Sequence, residues 1–260
     1  MGYVPNRCGL VAAWSRAVLA GTASPDDAAE AVRARDGLHR VVGLPGLPEP
    51  VSWAVAFSRL QALGVREVRL VLPVPGDPGA LPGPAAVTAA ALAAGEAVLL
   101  TAAAPALLVP TPSAPTPPAD AVRWDWLPCG PPRPAGHSLA DADRELRTAL
   151  HDAVATLSRL DLARSRERVP ELLDQAERRA ADQRLPGSFP SAARAVLRQA
   201  ARLDAIVRLA RADDGAAVTG AEADARSEAL APLADAARRA VEAAYSAGPE
   251  DAAARGRPGR

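Results

Sequence analysis

Residues 67–101 read EVRLVLPVPGDPGALPGPAAVTAAALAAGEAVLLT, and this stretch decides how the first half of the chain is built. Glu67 to Leu72 is the clearest strand signal, because Val and Leu fill the faces of a pleated ribbon. Pro73 to Pro84 is a loop rich in Gly and Pro. Ala85 to Ala94 then predicts a helix that Gly95 stops, and Ala97 to Thr101 reads as a buried strand. Strand, helix and strand in this order predict a parallel βαβ unit with a right-handed crossover.

Upstream of this unit, residues 9–20 read as a helix closed by Gly21. Ser24-Pro25-Asp26-Asp27 opens another: Ser24 can cap, Pro25 suits the first helical position, and Asp27 completes a capping box. Asp36-Gly37 ends it. Leu38 to Val42 is a short strand, and Pro50 opens a helix that runs through Leu63 to Gly64. Downstream, Ala106–Val109 and Val122–Leu127 are further strands that can add in an antiparallel sense. The expectation for residues 1–136 is a small α/β domain with a mainly parallel βαβ sheet and Pro-rich loops.

Proline divides the chain. Twenty of the 26 prolines precede Gly136, and proline breaks helix interiors through its missing N–H and its ring. The stretches Pro110–Asp120 and Pro128–Gly136 read as Pro-rich loops or linkers. Beyond them the pattern turns helical. Ser138 and Asp141 form a second capping pair, followed by an apolar stripe of Leu139, Ala142, Leu146, Leu150, Val154, Leu157 and Leu160.

Further helices start at Pro170 and at Pro190, the latter with Val196, Leu197, Ala200, Leu203 and Val207 as its stripe. A last one starts after Thr219 and carries Leu230, Leu233, Ala237, Val241 and Tyr245. Residues 137–247 are therefore expected to form an all-α, four-helix bundle-like region. Residues 248–260 are expected to be a disordered tail.

The chain has 260 residues, with 30 Lys+Arg against 30 Asp+Glu and a formal net charge of zero. That balance argues against nucleic acid as a partner, since duplex affinity rests on basic side chains that neutralise phosphates. Every basic residue is Arg, a composition typical of a GC-rich genome. Aromatic content is 3%, too low for base stacking. The longest apolar run, residues 97–109, contains Pro105 and is shorter than the ~20 residues a membrane span needs. The expectation is a soluble cytoplasmic protein without a membrane partner, with Cys8 and Cys129 reduced.

The best ligand-binding candidates lie in the loop after the strongest strand. Gly76, Gly79 and Gly83 permit close backbone approach, and Asp77 is the loop's only ionisable group. Ligands of open parallel sheets gather at the carboxyl ends of strands, next to helix N-termini. His39 and Arg40, side by side on the first strand, complete the candidate set, with His39 as a general base or an anion contact. The loop lacks the lysine of a phosphate-binding P-loop and lacks G-x-G-x-x-G. No Gly-x-Ser-x-Gly elbow, metal-ligand spacing or reactive-cysteine setting occurs, so no catalytic residue, metal or cofactor is assigned. In Trp124-Asp125-Trp126 alternation puts both indoles on one face, against the sheet or bundle, as a domain-interface anchor in preference to a ligand platform.

The segments VRLVLPVPGDPGALPGP (68–84), AGEAV (94–98) and DDGAAVTGAEADAR (213–226) resemble uncharacterised proteins of high-GC actinobacteria. The resemblance covers most of the chain and implies no activity, cofactor or catalytic residue. The residues themselves favour a non-catalytic regulatory or protein-interaction factor, which binds a protein partner or self-associates through its helical half. The alternative is an enzyme or binding protein for an anionic metabolite or nucleotide at residues 73–84.

Overall fold

The computed structural model describes residues 6–36, 38–79, 81–112, 122–132, 138–159, 184–212 and 220–248, with Asp174, Gln175 and Arg178. The chain forms two compact units. One comprises Arg7–Gly136 and the short return segment Arg184–Phe189; the other comprises Met1–Asn6, His137–Gln183 and Pro190–Arg260.

The first unit holds α1 (Arg7–Leu19), α2 (Pro25–Asp36), β1 (His39–Val42), α3 (Trp53–Ala62), β2 (Glu67–Val71), α4 (Ala85–Ala94), β3 (Ala97–Thr101), β4 (Ala106–Pro112) and β5 (Val122–Pro128). The five strands form one sheet in the order β1-β5-β4-β3-β2. Only β1 and β5 run parallel; β5–β4, β4–β3 and β3–β2 are antiparallel. The sheet is therefore mixed, and the expectation of a mainly parallel one is corrected.

The reason lies in the 72–84 loop. The last residue of β2, Val71, pairs with Ala97, the first of β3, so the chain returns at the sheet end it left. Between those points Gly130, just beyond the far end of β5, donates its N–H to the Pro82 carbonyl at 2.6 Å. The loop thus travels the length of the sheet, and α4 travels back. Two passes reverse the strand direction, whereas one helical pass gives a parallel neighbour. A Gly/Pro-rich composition marks a turn, and it does not encode a crossing of the sheet.

Alternation gives the sheet two faces. One carries His39, Val41, Val68, Leu70, Val98, Leu100, Leu108, Trp124 and Trp126, all buried. Trp53 of α3 packs edge-on against Trp124 at 5.0 Å between ring centroids. Arg16 of α1 donates to the Val68 carbonyl of edge strand β2 at 3.1 Å. On the opposite face, Val71, Ala97, Leu99, Leu107 and Val109 form a cluster with Ala91 of α4.

Several local signals read as expected. The Ser24 hydroxyl accepts the Asp27 N–H at 3.1 Å and donates to its carboxylate at 2.7 Å, which closes the capping box. Gly95 ends α4 in the left-handed region at φ 70°. Two boundaries moved. α3 starts at Trp53, not Pro50, because Val51 exchanges two backbone hydrogen bonds with Val41 on the outer edge of β1. β4 runs on through Pro110 to Pro112, into the expected loop. Beyond Leu108 it pairs with β5 alone, so a proline there only has to turn its nitrogen away from β5.

The second unit holds α5 (Leu139–Arg159), α6 (Ser191–Ala212) and α7 (Gly220–Ser246). α7 packs against both α5 and α6. The buried stripes are Leu139, Ala142 and Leu146; Val196, Leu197, Ala200, Leu203 and Val207; and Leu230, Leu233, Ala237, Val241 and Tyr245. These are among the apolar positions that the three- and four-residue spacing selected; Leu150 is half-buried, and the side chains of Val154, Leu157 and Leu160 lie outside those described. Pro232 sits inside α7. The helix expected from Pro170, the Thr219 cap, residues 113–121 of the Pro-rich stretch and the tail from 249 lie outside the described residues.

Candidate functional site

The 73–84 loop is organised by its own hydrogen bonds. Val74 and Asp77 exchange backbone bonds at 3.0 Å each, around Gly76 at φ 87°. The Asp77 carboxylate accepts the Gly79 N–H at 3.1 Å, an Asx-type turn. Gly83 stands so close to α4 that a Cβ there would meet Val87 Cβ at 3.1 Å. Gly76, Asp77 and Gly79 share one turn, and Gly83 marks the tight entry into α4.

His39 and Arg40 stand elsewhere. β1 and β2 are the two edges of the sheet, four strand spacings apart, or about 19 Å. Gly79 stays beside Val71 of β2. The structure therefore does not bring His39 or Arg40 to Asp77. Nor do the two neighbours act together, because period-two alternation sends them to opposite faces. His39 is 2% exposed, and its Nδ1 accepts the Trp124 indole N–H at 2.9 Å. Arg40 is exposed. Trp124 and Trp126 do share a face, and Trp124 anchors α3 to the sheet within one unit.

The register assembles a group that the sequence did not single out. Arg40 pairs with Arg123 of β5, and Arg123 pairs with Thr111 of β4. All three are exposed. The Arg123 guanidinium holds Oδ1 of Asp125 through Nε and Nη2, each at 2.7 Å. The Thr111 hydroxyl lies 3.4 Å from the other carboxylate oxygen. The available signal was the alternation of Val122-Arg123-Trp124-Asp125-Trp126, which sends Arg123 and Asp125 away from the indoles. The register with β1 is a long-range fact that no local pattern encodes.

A concave feature of about 500 Å³ opens between α1, α2 and the return segment, with Trp14, Asp27, Glu30 and Arg184 in its lining. Trp14 donates its indole N–H to the Arg184 carbonyl at 2.7 Å, and Arg184 lies 3.6 Å from Glu30. The thiols are poor nucleophiles. Burial pushes the Cys8 thiol well up, and the charge of Glu96 adds to this. The Glu96 carboxylate also accepts the Cys8 backbone N–H at 2.9 Å, at the start of α1. Burial raises Cys129 as well. Among the described residues no group of His, Cys, Asp or Glu could hold a metal ion, and no helix is long and apolar enough to cross a membrane.

Comparison with known proteins agrees with this picture of two parts. Residues 8–140 match the family model for the Rv1486c-like protein N-terminal domain, and residues 140–242 match that for its C-terminal domain. The chain belongs to the Rv1486c-like family. It is 36% identical over 234 residues to "Uncharacterized protein Rv1486c" of Mycobacterium tuberculosis, covering 75% of this chain and 79% of the relative. It is 30% identical over 240 residues to "Uncharacterized protein ML1804" of Mycobacterium leprae, covering 75% and 80%. No solved structure matches. The family is thus an uncharacterised actinobacterial one, as the resemblance implied. Its N-terminal domain carries all six candidate residues, together with Thr111, Arg123 and Asp125.

Proposed function

We propose that this Rv1486c-like protein is a non-catalytic regulatory or protein-interaction factor of the cytoplasm. In this reading its helical half docks an acidic protein partner or a second copy of the chain. The observation that carries the reading is the charge of α6. Its 22 residues hold Arg194, Arg198, Arg202, Arg208 and Arg211 against a single acid, Asp204. Arg198, Arg202 and Arg208 are exposed, while Asp204 is buried and paired with Arg208 at 3.2 Å. The outward side of α6 is basic in a chain of zero net charge. Such a rim steers encounter and selects partners of opposite sign. A non-catalytic role is supported by where the reactive groups sit: His39 against Trp124, Asp77 in its own turn, Cys8 beneath the surface.

Affinity capture and sedimentation velocity of the full chain and of an R198E/R202E variant test the reading. It expects either concentration-dependent association or capture of a partner with an acidic docking segment, lost in the variant. A strict monomer that captures the same proteins in both forms would overturn it. A second reading, an anionic-metabolite or nucleotide site at 73–84, is favoured by the grouping of Gly76, Asp77 and Gly79 in one turn. It requires the Asp77–Gly79 bond to open, since an anion would compete for that N–H. A rise in melting temperature with tripolyphosphate that grows in Asp77→Ala, where the Gly79 N–H is freed, would support it.

A further inference from the structure

We propose that the row Thr111–Arg123–Arg40, at the open end of the sheet, docks an acidic segment of a protein partner. The proposal rests on the interaction reading above and adds a surface on the sheet unit. The three residues occupy one register row across β4, β5 and β1, spanning about 10 Å. They share the face that α4 covers further along, at Leu99, Leu107 and Val109. At the row itself that face is exposed.

The charges on this row do not cancel. Asp125 neutralises Arg123. Arg40 makes one bond, from Nη1 to the His39 carbonyl at 3.2 Å, and no carboxylate among the described residues pairs with it. Arg40 thus leaves one positive charge on the row without a counter-charge, and an incoming carboxylate beside it supplies one. Guanidinium forks suit carboxylates, and Asp125 already shows the row taking one, with Arg123 and Thr111 as donors. A nucleic acid is the poorer match, because both indoles of β5 lie on the buried face and are closed to base stacking. The surface is a sheet face and not a concave pocket, so an extended segment fits it better than a small molecule. Such a segment binds through side chains, because Val51 already takes both backbone groups of Val41 on the outer edge of β1.

The test is an NMR titration of the full chain with an octaglutamate peptide, repeated on R40Q/R123Q, on R40Q alone and on R198E/R202E. Shifts are expected at the amides of residues 40, 111 and 123. Binding there should weaken about tenfold in R40Q/R123Q, less in R40Q, and fade as salt rises from about 50 to about 300 mM. R198E/R202E should leave it unchanged. Shifts at the row that survive R40Q/R123Q would overturn the proposal, as would tighter binding of a short DNA duplex there. Peptide binding lost through R198E/R202E alone would overturn the row and leave the α6 reading standing.

Discussion

At the scale of single residues, the position of His39 shows how neighbours decide a side chain's role. An indole is a hydrogen-bond donor only, so the Trp124 N–H at 2.9 Å fixes His39 Nδ1 as an acceptor. The pair is buried beside Trp53, which stacks in turn on Phe57 at 4.8 Å. Replacing His39 by Phe keeps the ring and removes the acceptor, leaving a buried indole N–H unsatisfied. We expect His39→Phe to lower stability by about 1–3 kcal/mol, and His39→Gln to lower it less if the amide oxygen reaches the indole. Urea unfolding followed by tryptophan fluorescence measures both. Equal losses in the two variants would show that ring packing, not the acceptor, holds the site. The neighbouring Arg40 keeps its side chain outside this core, in register with Arg123 of β5.

At the scale of elements, the caps and the antiparallel addition of β4 and β5 were legible, and the direction of β3 against β2 was not. Ser24 and Ser138 announced their helices because a capping box is written within four consecutive residues. The direction of β3 depends on how residues 72–84 travel, which side-chain chemistry does not specify. The Ser138 box also makes a pH prediction. The Ser138 hydroxyl donates to the Asp141 carboxylate at 2.7 Å, and Arg144 adds a bond at 2.8 Å. Together they hold the Asp141 carboxyl below its usual range, with Ser138 the larger cause. A carboxyl lowered by folding stabilises the protein above its unfolded value, about 3.9, and that contribution disappears as pH falls through the folded value. The melting-temperature gap between wild type and Ser138→Ala should therefore be constant from neutral pH to about pH 5 and narrow below about pH 4. A gap that does not change with pH would mean that the Asp141 N–H bond alone makes the cap.

At the scale of the whole molecule, the sequence placed the change from mixed to helical grammar near residue 136, and the family models divide the chain at residue 140. What it did not reveal is that Arg184–Phe189 returns to the sheet unit. Those residues lie just before α6, and their attachment depends on partners far back in the chain. Trp14 bonds the Arg184 carbonyl, Thr22 and Ser188 exchange a hydroxyl bond at 2.9 Å, and Pro186 and Phe189 are buried. A chain ending at residue 140 keeps every strand and loses this segment. Each lost hydrogen bond costs about 0.5–1.5 kcal/mol. The shortened chain should still show the circular dichroism of a mixed α/β unit, unfold at a lower denaturant concentration than a chain ending at residue 189, and emit at longer wavelength as Trp14 becomes wetter. If the two chains unfold together with the same emission, the return segment adds nothing to the unit. The unit would then be complete at the boundary the family models draw, and the wall of the groove beside Trp14 would be dispensable.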